Sequence, residues 1–492
     1  MDDRIRNKAV EICRKLQARG FAAGLIGGCV RDALLDKQPK DYDIATSATP
    51  VQIKETFADD GDFKAIEIGE AFGIVSLWHK GVACAFEVAT FRRDGNYSDG
   101  RRPDDVQYTE HVSTDLSRRD FAMNAIYVDP VSGITVDPHG GALDIKNKSI
   151  NFVGDPMERL VEDRLRLLRA YRFRSQLGFQ FAEKTKQAID AYLDCGCVDG
   201  ANWVECRQVL NGVSQERITQ EFIKILMGDH VMETLPDMIR NGLLWSIIPE
   251  LRFQMRDHDS DWHQETFANF GTAIISHTLR VVMNASLIIK GDELLCGDRL
   301  ERGIKEEDRA ILLLAALLHD VGKPMVAAPN NKGRTRYLEH DRVGAEMARD
   351  ILTRMKLPGK IVDAVSELVR MHMRVHDLPK MKDVASIRRL LGRDDIVNLL
   401  RLSMCDTYAT QNEKDKDGAE VMRAAIQKWS GEFAIMLPEP IITGDDLIEA
   451  NLRPGPGFKK GLRVAYDEQL RGVSDRKRLL NAAVSTIIQS AE

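Results

Sequence analysis

The stretch that decides the fold reads Gly27-Gly28-Cys29-Val30-Arg31-Asp32, followed a short loop later by Asp41-Tyr42-Asp43 in a run ending Ile44-Ala45-Thr46. A Gly pair lets backbone amides approach an anion, and Arg31, opening the next helix, adds a cation. If Asp41, Tyr42 and Asp43 lie on a strand, the period of two puts both carboxylates on one face. Together the pieces make a device for holding a metal-bound triphosphate, with Mg2+ the fitting ion. Alone, the Gly pair is an ordinary turn and the Asp pair a solvated strand end. Their order and close spacing carry the phosphate reading.

On either side the hydrophobic pattern alternates between helix and strand. Ile5, Ala9, Ile12 and Leu16 recur at helical spacing, Phe21–Ile26 runs as a strand into the Gly pair, and Val51–Phe57 is again helical. Phe72–Trp78 and Ala83–Phe91 read as strands. Within the second, Glu87 alternates with Phe86 and Val88 and is either a third carboxylate beside the Asp pair or an exposed strand residue. Arg92 to Pro103 is rich in Gly, Asn, Asp and Arg and predicts a mobile basic loop. Arg118-Arg119-Asp120 offers two guanidiniums for phosphate oxygens and a carboxylate for a ribose hydroxyl.

Gly27-Gly28-x-Val30-Arg31-Asp32 with Asp41-x-Asp43 resembles the first motif of the class II tRNA nucleotidyltransferase and bacterial poly(A) polymerase family, a branch of the polymerase-beta-like superfamily. Arg118-Arg119-Asp120 matches its second motif. One departure is Asp36, where the family usually has Gly, and a changed turn is the expected consequence. The resemblance implies that Asp41 and Asp43 are catalytic metal ligands and that Gly27, Gly28, Arg31, Arg118, Arg119 and Asp120 bind nucleotide. It also implies that the basic loop helps switch from cytidine to adenosine addition.

From about Met157 the pattern is helical. Continuous helix would place Val161, Leu165 and Leu168 on a packing face and Asp163 with Arg166 nearly opposite, free to contact a base edge or to form a plain i, i+3 ion pair. Glu162-Asp163-x-x-Arg166, followed by Arg169-Ala170-x-Arg172-Phe173, resembles the family motif that selects the incoming base without a nucleic-acid template. That assigns nucleotide contact to Asp163, Arg166, Arg169 and Arg172. Glu216-Arg217 with Glu221 resembles a later motif that stabilises the base-reading helix.

A second constellation follows. His277, His319-Asp320 at the end of an apolar helix, His340, His372, His376 and Asp406 supply imidazoles and carboxylates from several helices. Their order resembles the HD superfamily of metal-dependent phosphohydrolases. The resemblance implies His277, His319, Asp320 and Asp406 as ligands of a divalent transition metal or Mg2+, with His340 and His372 completing a second position. His263 competes with His277 for the first place, because Trp262-His263-Gln264-Glu265 resembles the approach to that ligand. The module is either a working phosphodiesterase or phosphatase, or a helical extension whose degenerate site only helps hold RNA.

The whole chain agrees with this division. Its 492 residues exceed one ordinary core, and 43% hydrophobic with 29% charged residues describes a globular rather than a disordered protein. Net charge is -6, so nucleic-acid contact must rest on local basic surfaces. Eight Cys without repeated C-x-x-C spacing read as free thiols. No apolar run is long enough to span a bilayer and Met1-Asp2-Asp3-Arg4 lacks a signal-peptide core, so a cytoplasmic location and no membrane partner are expected.

The sequence therefore predicts an α+β chain. A mixed-sheet nucleotidyltransferase head (1–150) precedes an all-α neck and body (151–260), an all-α HD domain (261–430) and a helical tail (431–492). The implied activity is CCA addition to the 3′ end of tRNA from CTP and ATP, with an HD phosphohydrolase activity and room for a homodimer. The alternatives are an A-adding enzyme or poly(A) polymerase, and an HD phosphohydrolase whose head mainly binds RNA. Against a poly(A) polymerase, Glu67 to Gly73 lacks the basic-aromatic signature associated with that branch.

Overall fold

A computed structural model describes residues 3–67, 73–82, 84–95, 105–194, 207–255, 270, 273–291, 304–331, 335–410, 416–432 and 437–489. Most of the segment from Glu67 to Gly73, the basic loop beyond Gly95 up to Pro103, and His263 with its neighbours lie outside these residues. The chain divides into two compact units, Met1–Pro249 and Glu250–Glu492.

The first unit is built on β1 (Ala23–Ile26), β2 (Ile44–Thr46), β3 (Phe63–Glu67), β4 (Ile74–His79) and β5 (Ala85–Thr90). A small hairpin, β6 (Arg92–Asp94) with β7 (Val106–Tyr108), follows, then β8 (Tyr127–Val128) and β9 (Thr135–Val136). The sheet order is β3-β4-β5-β2-β1-β8-β9, with β2 and β5 parallel and the other pairs antiparallel, so the predicted mixed sheet is present. Part of the expected loop is thus the paired stem Arg92–Asp94, because its residues find cross-strand partners in Val106–Tyr108.

Helix α1 (Asp3–Ala18) buries Ala9, Ile12, Cys13 and Leu16, and it packs on β1. Helix α2 (Gly28–Leu34) starts at the Gly pair rather than at Arg31, which falls in its last turn. Just beyond, Asp36 has φ 54°, the left-handed region where Gly costs nothing and Asp is among the tolerated residues. Asp36 thus holds the turn in a conformation that Gly also adopts readily. Helix α3 (Pro50–Phe57) is closed by a capping box in which Thr49 N–H donates to Gln52 Oε1 at 2.9 Å and Gln52 N–H donates back to Thr49 Oγ1.

Helix α4 (Val112–Ser117) and α5 (Gly141–Lys146) complete the head, and α6 (Pro156–Glu162) leads into α7 (Leu165–Leu177). The helices Gln215–Leu226 and Val231–Arg240 pack on α7. The Ser175 hydroxyl, buried in this contact, donates to the Ile225 carbonyl at 2.6 Å.

Among its described residues, the only strands of the second unit are the two-residue Ala328–Pro329 and Thr335–Arg336, and the regular structure is otherwise helical. Its core helix, Glu306–Leu318, opens on Glu306, Glu307 and Asp308, which suit the positive end of the helix dipole. Every residue from Ile311 to Leu318 is buried, because helices Ile274–Lys290, Gly359–His376 and Ile396–Thr410 all pack on it. An apolar stripe would serve one neighbour, whereas an all-round apolar helix serves three. Among the described residues no helix is long and apolar enough to cross a membrane, and Cys13, Cys29, Cys84 and Cys405 are free thiols.

Leu314→Ala should leave a cavity at the centre of this packing and cost about 3 kcal/mol. Glu307→Ala, on the exposed first turn where it pairs with Lys360, should stay within about 0.5 kcal/mol of wild type. Denaturant unfolding of the two variants measures both.

Candidate functional site

In the head, the extended chain before β2 does what the strand would have done. The strand itself begins at Ile44, yet Ile26 N–H donates to the Asp43 carbonyl at 3.1 Å, continuing the ladder by one residue. Because Ile44 stands opposite Val88, Asp43 comes beside Glu87. Burial, with Asp41 and Glu87 as neighbouring charges, pushes the Asp43 carboxyl up to about 6, while Arg119 opposes the shift. Asp43 thus stands near like charges on Asp41 and Glu87, a repulsion that a divalent cation would relieve. That donor set of hard oxygens fits Mg2+.

Gly27, at φ 79°, lies between this cluster and the arginines. A Cβ there would stand 3.4 Å from Arg119 Nη1 and 3.6 Å from Asp43 Oδ2. A side chain at 27 would thus occupy the space between the acidic cluster and the cation. Cys29 is no nucleophile, since burial pushes its thiol up to about 12.

The second motif is anchored by Asp115, a residue outside the motif itself. Buried Asp115 accepts from Arg118 Nε and Nη2 at 2.9 and 2.7 Å and pairs with Arg119 Nη2 at 3.3 Å. It also accepts from the Arg92 backbone N–H at 3.2 Å. Its only sequence signal was an acidic residue three and four positions before two arginines on a short helix.

Asp120 is part-buried beside α7, where it accepts from Arg169 Nε at 2.6 Å and from the Phe121 N–H at 2.9 Å. Burial works to raise its pKa, but Arg169 outweighs it and holds the carboxyl below the usual range. Arg31 is fixed by Asp32 at 2.7 and 2.9 Å and by Asn124 at 2.9 Å, and its guanidinium lies 5.2 Å from the ring centre of Phe173.

The continuous helix expected across Val161–Leu168 is interrupted. Asp163 caps α6 in an extended conformation (φ -144°), and α7 starts at Leu165. Leu165 and Leu168 are buried as expected, but the break changes the rest: Val161 is 60% exposed and Arg166 only 7%. The reason is that the Asp163 side chain accepts from the Leu165 N–H at 3.0 Å, competing with helix continuation. Arg166 then donates through Nη1 to Glu162 at 2.5 Å and to the Arg159 carbonyl at 3.1 Å.

The Glu216–Glu221 segment grips this region. Arg217 reaches Asp163 at 3.2 Å, and Glu221 accepts from Arg172 Nη1 at 3.0 Å. The stabilising role expected for Glu216-Arg217 and Glu221 thus has named bonds at two of its three residues. Arg172 lies 4.4 Å from the Phe173 ring.

In the second unit, six expected ligands converge as two buried groups, His277-His319-Asp406 and Asp320-His340-His372. His277 Nε2 is 2.9 Å from Asp406 Oδ1 and 3.3 Å from His319 Nε2. His340 Nε2 is 3.3 Å from His372 Nε2 and 3.5 Å from Asp320 Oδ1, while Asp320 Oδ2 lies 3.1 Å from His319 Nε2. Asp320 therefore joins the two groups. His277 takes the first place in this geometry.

Backbone carbonyls orient the rings. Nδ1 of His319, His340 and His372 lies 2.9, 2.7 and 2.6 Å from the carbonyls of Ala316, Tyr337 and Val369. An Nδ1–H donor at each leaves Nε2 as a lone pair aimed into the cluster, the tautomer that a metal ligand needs. Burial, helped by His319 and His340, lowers His372 to about 3, which keeps its ring neutral. Burial opposes ionisation of Asp320, but His319 and Lys323 hold it well below the usual carboxylate range.

Gly322 permits this convergence. A Cβ there would stand 2.4 Å from the His340 carbonyl oxygen, so the turn after His319-Asp320 can close on the helix carrying His340 only without a side chain. Neutral imidazoles and ionised carboxylates fit a divalent transition metal or Mg2+. Of residues outside the six, Lys323 Nζ lies 2.6 Å from Asp320 and His376 Nε2 lies 2.8 Å from Asp406.

Comparison with known proteins agrees with both geometries. Residues 23–151 match the poly A polymerase head domain, residues 201–255 the "Probable RNA and SrmB- binding site of polymerase A", and residues 274–411 the HD domain. The chain is 38% identical over 267 residues to a CCA-adding enzyme of Lactobacillus helveticus (strain DPC 4571), covering 52% of this chain and 61% of the relative. It is 41% identical over 245 residues to a CCA-adding enzyme of Geobacillus sp. (strain WCH70), covering 50% and 55%. The matched part thus spans little more than half the length of these relatives. The fold resembles the crystal structure of the Bacillus stearothermophilus CCA-adding enzyme in complex with CTP, at TM-score 0.64 and 24% identity over 99% of this chain and 98% of that one. It also resembles the Thermotoga maritima CCA-adding enzyme complexed with tRNA, at TM-score 0.61 and 17% identity over 99% and 96%. With the two motifs of the head and the HD ligand order in place, the chain carries segments that match the poly A polymerase head domain and the HD domain, and about half of it is similar to CCA-adding enzymes.

Proposed function

We propose that the protein is a template-independent nucleotidyltransferase that adds CCA to the 3′ end of tRNA from CTP and ATP. The observation that carries this reading is the Asp41-Asp43-Glu87 cluster facing Arg119 across Gly27. Identity of 38–41% to proteins named CCA-adding enzymes supports the choice of substrate.

Asp41 and Asp43, with Glu87 beside them, would hold Mg2+, which when bound lowers the barrier to attack by the primer hydroxyl and neutralises the leaving pyrophosphate. Gly27 and Gly28 leave the triphosphate room beside the backbone. Arg31, Arg118 and Arg119 steady its oxygens, each aimed by a carboxylate already in place. Asp120 acts through Arg169, which it orients, and Arg172 is oriented in turn by Glu221.

Asp163 and Arg166 present the base-reading edge. Among the described residues Arg166 donates through Nη1, one of three nitrogens carrying its five N–H donors, and the Asp163 oxygens retain lone pairs beyond the bonds they accept.

The two joined triads favour a second reading for the C-terminal half, hydrolysis of a phosphoester. Metals bound there would supply an activated water. The protein's part is to keep the His372 ring neutral by burial and to aim the Nε2 atoms of His319, His340 and His372, with Lys323 beside Asp320 to meet a phosphate oxygen.

tRNA transcripts lacking one, two or three terminal nucleotides, supplied with CTP or ATP separately, test the main reading. Stepwise C, C and A addition is expected. Absence of cytidine incorporation would overturn it, A on the CC end alone would identify an A-adding enzyme, and long A tails a poly(A) polymerase.

Asp41→Asn with Asp43→Asn should lower extension by about a thousandfold or more. His319→Ala with Asp320→Ala should spare extension and abolish hydrolysis of a phosphodiester in the presence of Mn2+. Failure of either half of that contrast would reassign the two sites.

Because the folded protein raises the Asp43 pKa from its ordinary value to about 6, the native state binds the proton more tightly than the unfolded chain. Stability contributed by this group is therefore lost as pH rises through about 6. Asp43→Asn alone should stabilise the metal-free protein at pH 7 by on the order of 1–2 kcal/mol, read from thermal unfolding in EDTA. Mg2+ affinity at the head, measured calorimetrically, should fall as pH drops below about 6.

Arg217→Ala removes one anchor of Asp163. It should raise KM for CTP and ATP roughly five- to tenfold with a smaller change in kcat. An unchanged KM would separate Asp163 from base reading.

A further inference from the structure

Helix Gly359–His376 carries His372 and His376 one turn apart, and so on the same face. His372 belongs to the Asp320-His340-His372 group. Among the described residues His376 belongs to neither group, yet its Nε2 lies 2.8 Å from Oδ2 of Asp406, a member of the other one. A single helix face therefore reaches both groups.

The two oxygens of Asp406 have different neighbours. Oδ1 lies 2.9 Å from His277 Nε2 and 4.0 Å from His319 Nε2, whereas Oδ2 lies against His376. Oδ1 thus faces the His277-His319-Asp406 group, and Oδ2 is taken up by a donor from outside it. Asp406 is also the least enclosed of the three, 8% exposed against 4% for His277 and 0% for His319. The His319 ring is held by the Ala316 carbonyl at 2.9 Å. A carboxylate turns easily about its last torsion and its two oxygens are equivalent, so a bond to one of them decides which faces inward.

We propose that His376 is a positioning residue for this group. Its Nε2–H donates to Asp406 Oδ2 and turns Oδ1 toward the metal that His277, His319 and Asp406 would hold. The role needs a donor where Nε2 stands, and His376 itself stays off the metal. The inference rests on the metal chemistry proposed for the C-terminal half and adds to its six ligands a seventh residue that acts through one of them.

Calorimetric titration of the metal-free, full-length protein with Mn2+ tests this. His376→Phe keeps a ring of similar shape and loses the donor, and it should weaken Mn2+ binding at one position by about ten- to hundredfold. His376→Gln, whose amide nitrogen can stand where Nε2 stood, should restore most of that affinity. In an Asp406→Ala background, where the bond has no acceptor, His376→Phe should have no further effect.

Thermal unfolding of each variant in EDTA separates lost positioning from lost fold. Should His376→Phe be unfolded, His376→Ala against His376→Gln makes the same comparison. Mn2+ affinity equal to wild type in the folded His376→Phe protein would overturn the inference alone. So would a His376→Gln variant as weak as His376→Phe, which would make the imidazole itself a ligand, or an equal loss in the Asp406→Ala background. A wild type that takes up no Mn2+ would overturn the metal reading of the C-terminal half and this inference with it.

Discussion

The ring of Phe173, buried at the centre of α7, lies within reach of the guanidiniums of Arg31 and Arg172 and packs edge-on against Phe121. Arg31 belongs to the Gly-pair helix, Phe121 follows the second motif and Arg172 is held by Glu221. One aromatic side chain therefore ties the triphosphate side of the first unit to its helical side. Such a core is costly to build from arginines unless each is paired, and each of these has a carboxylate: Asp32 for Arg31, Glu221 for Arg172, Asp120 for Arg169.

The same economy of pairing governs both metal constellations, with opposite signs. In the head, Asp41 and Glu87 add like charge near buried Asp43 and Arg119 opposes them, so the Asp43 carboxyl is raised. In the second unit, burial keeps His372 neutral while Asp320 and Asp406 stay ionised through their cationic and imidazole neighbours. The first arrangement offers hard oxygens; the second offers mixed nitrogen and oxygen donors. The two halves are thus suited to different metal chemistry.

Backbone constraints place these groups. Gly27 keeps the space between Asp43 and Arg119 clear, and Gly322 lets the turn after His319-Asp320 close on the His340 helix. Asp163 interrupts a helix by bonding to the Leu165 N–H, which turns Arg166 inward to Glu162 and presents Asp163 to Arg217. In each case a single local conformation decides which polar groups meet.

The mixed sheet and the helical remainder were legible in the chain because periodicity encodes local structure directly, and the six side chains that converge in the second unit were implied by the resemblance to the HD superfamily. The sequence also marked Glu216-Arg217 and Glu221 as a support. Tertiary structure alone decided the partners: Asp115 beneath Arg118 and Arg119, Asp120 turned to Arg169, Asn124 on Arg31, and the break at Asp163. The bond from His376 to Asp406 likewise joins residues far apart in the chain. A hydrogen bond between distant residues leaves no period in the sequence, and a helical wheel cannot know that a side chain will compete with the backbone. Local pattern fixed which groups are available, and packing fixed which of them face one another.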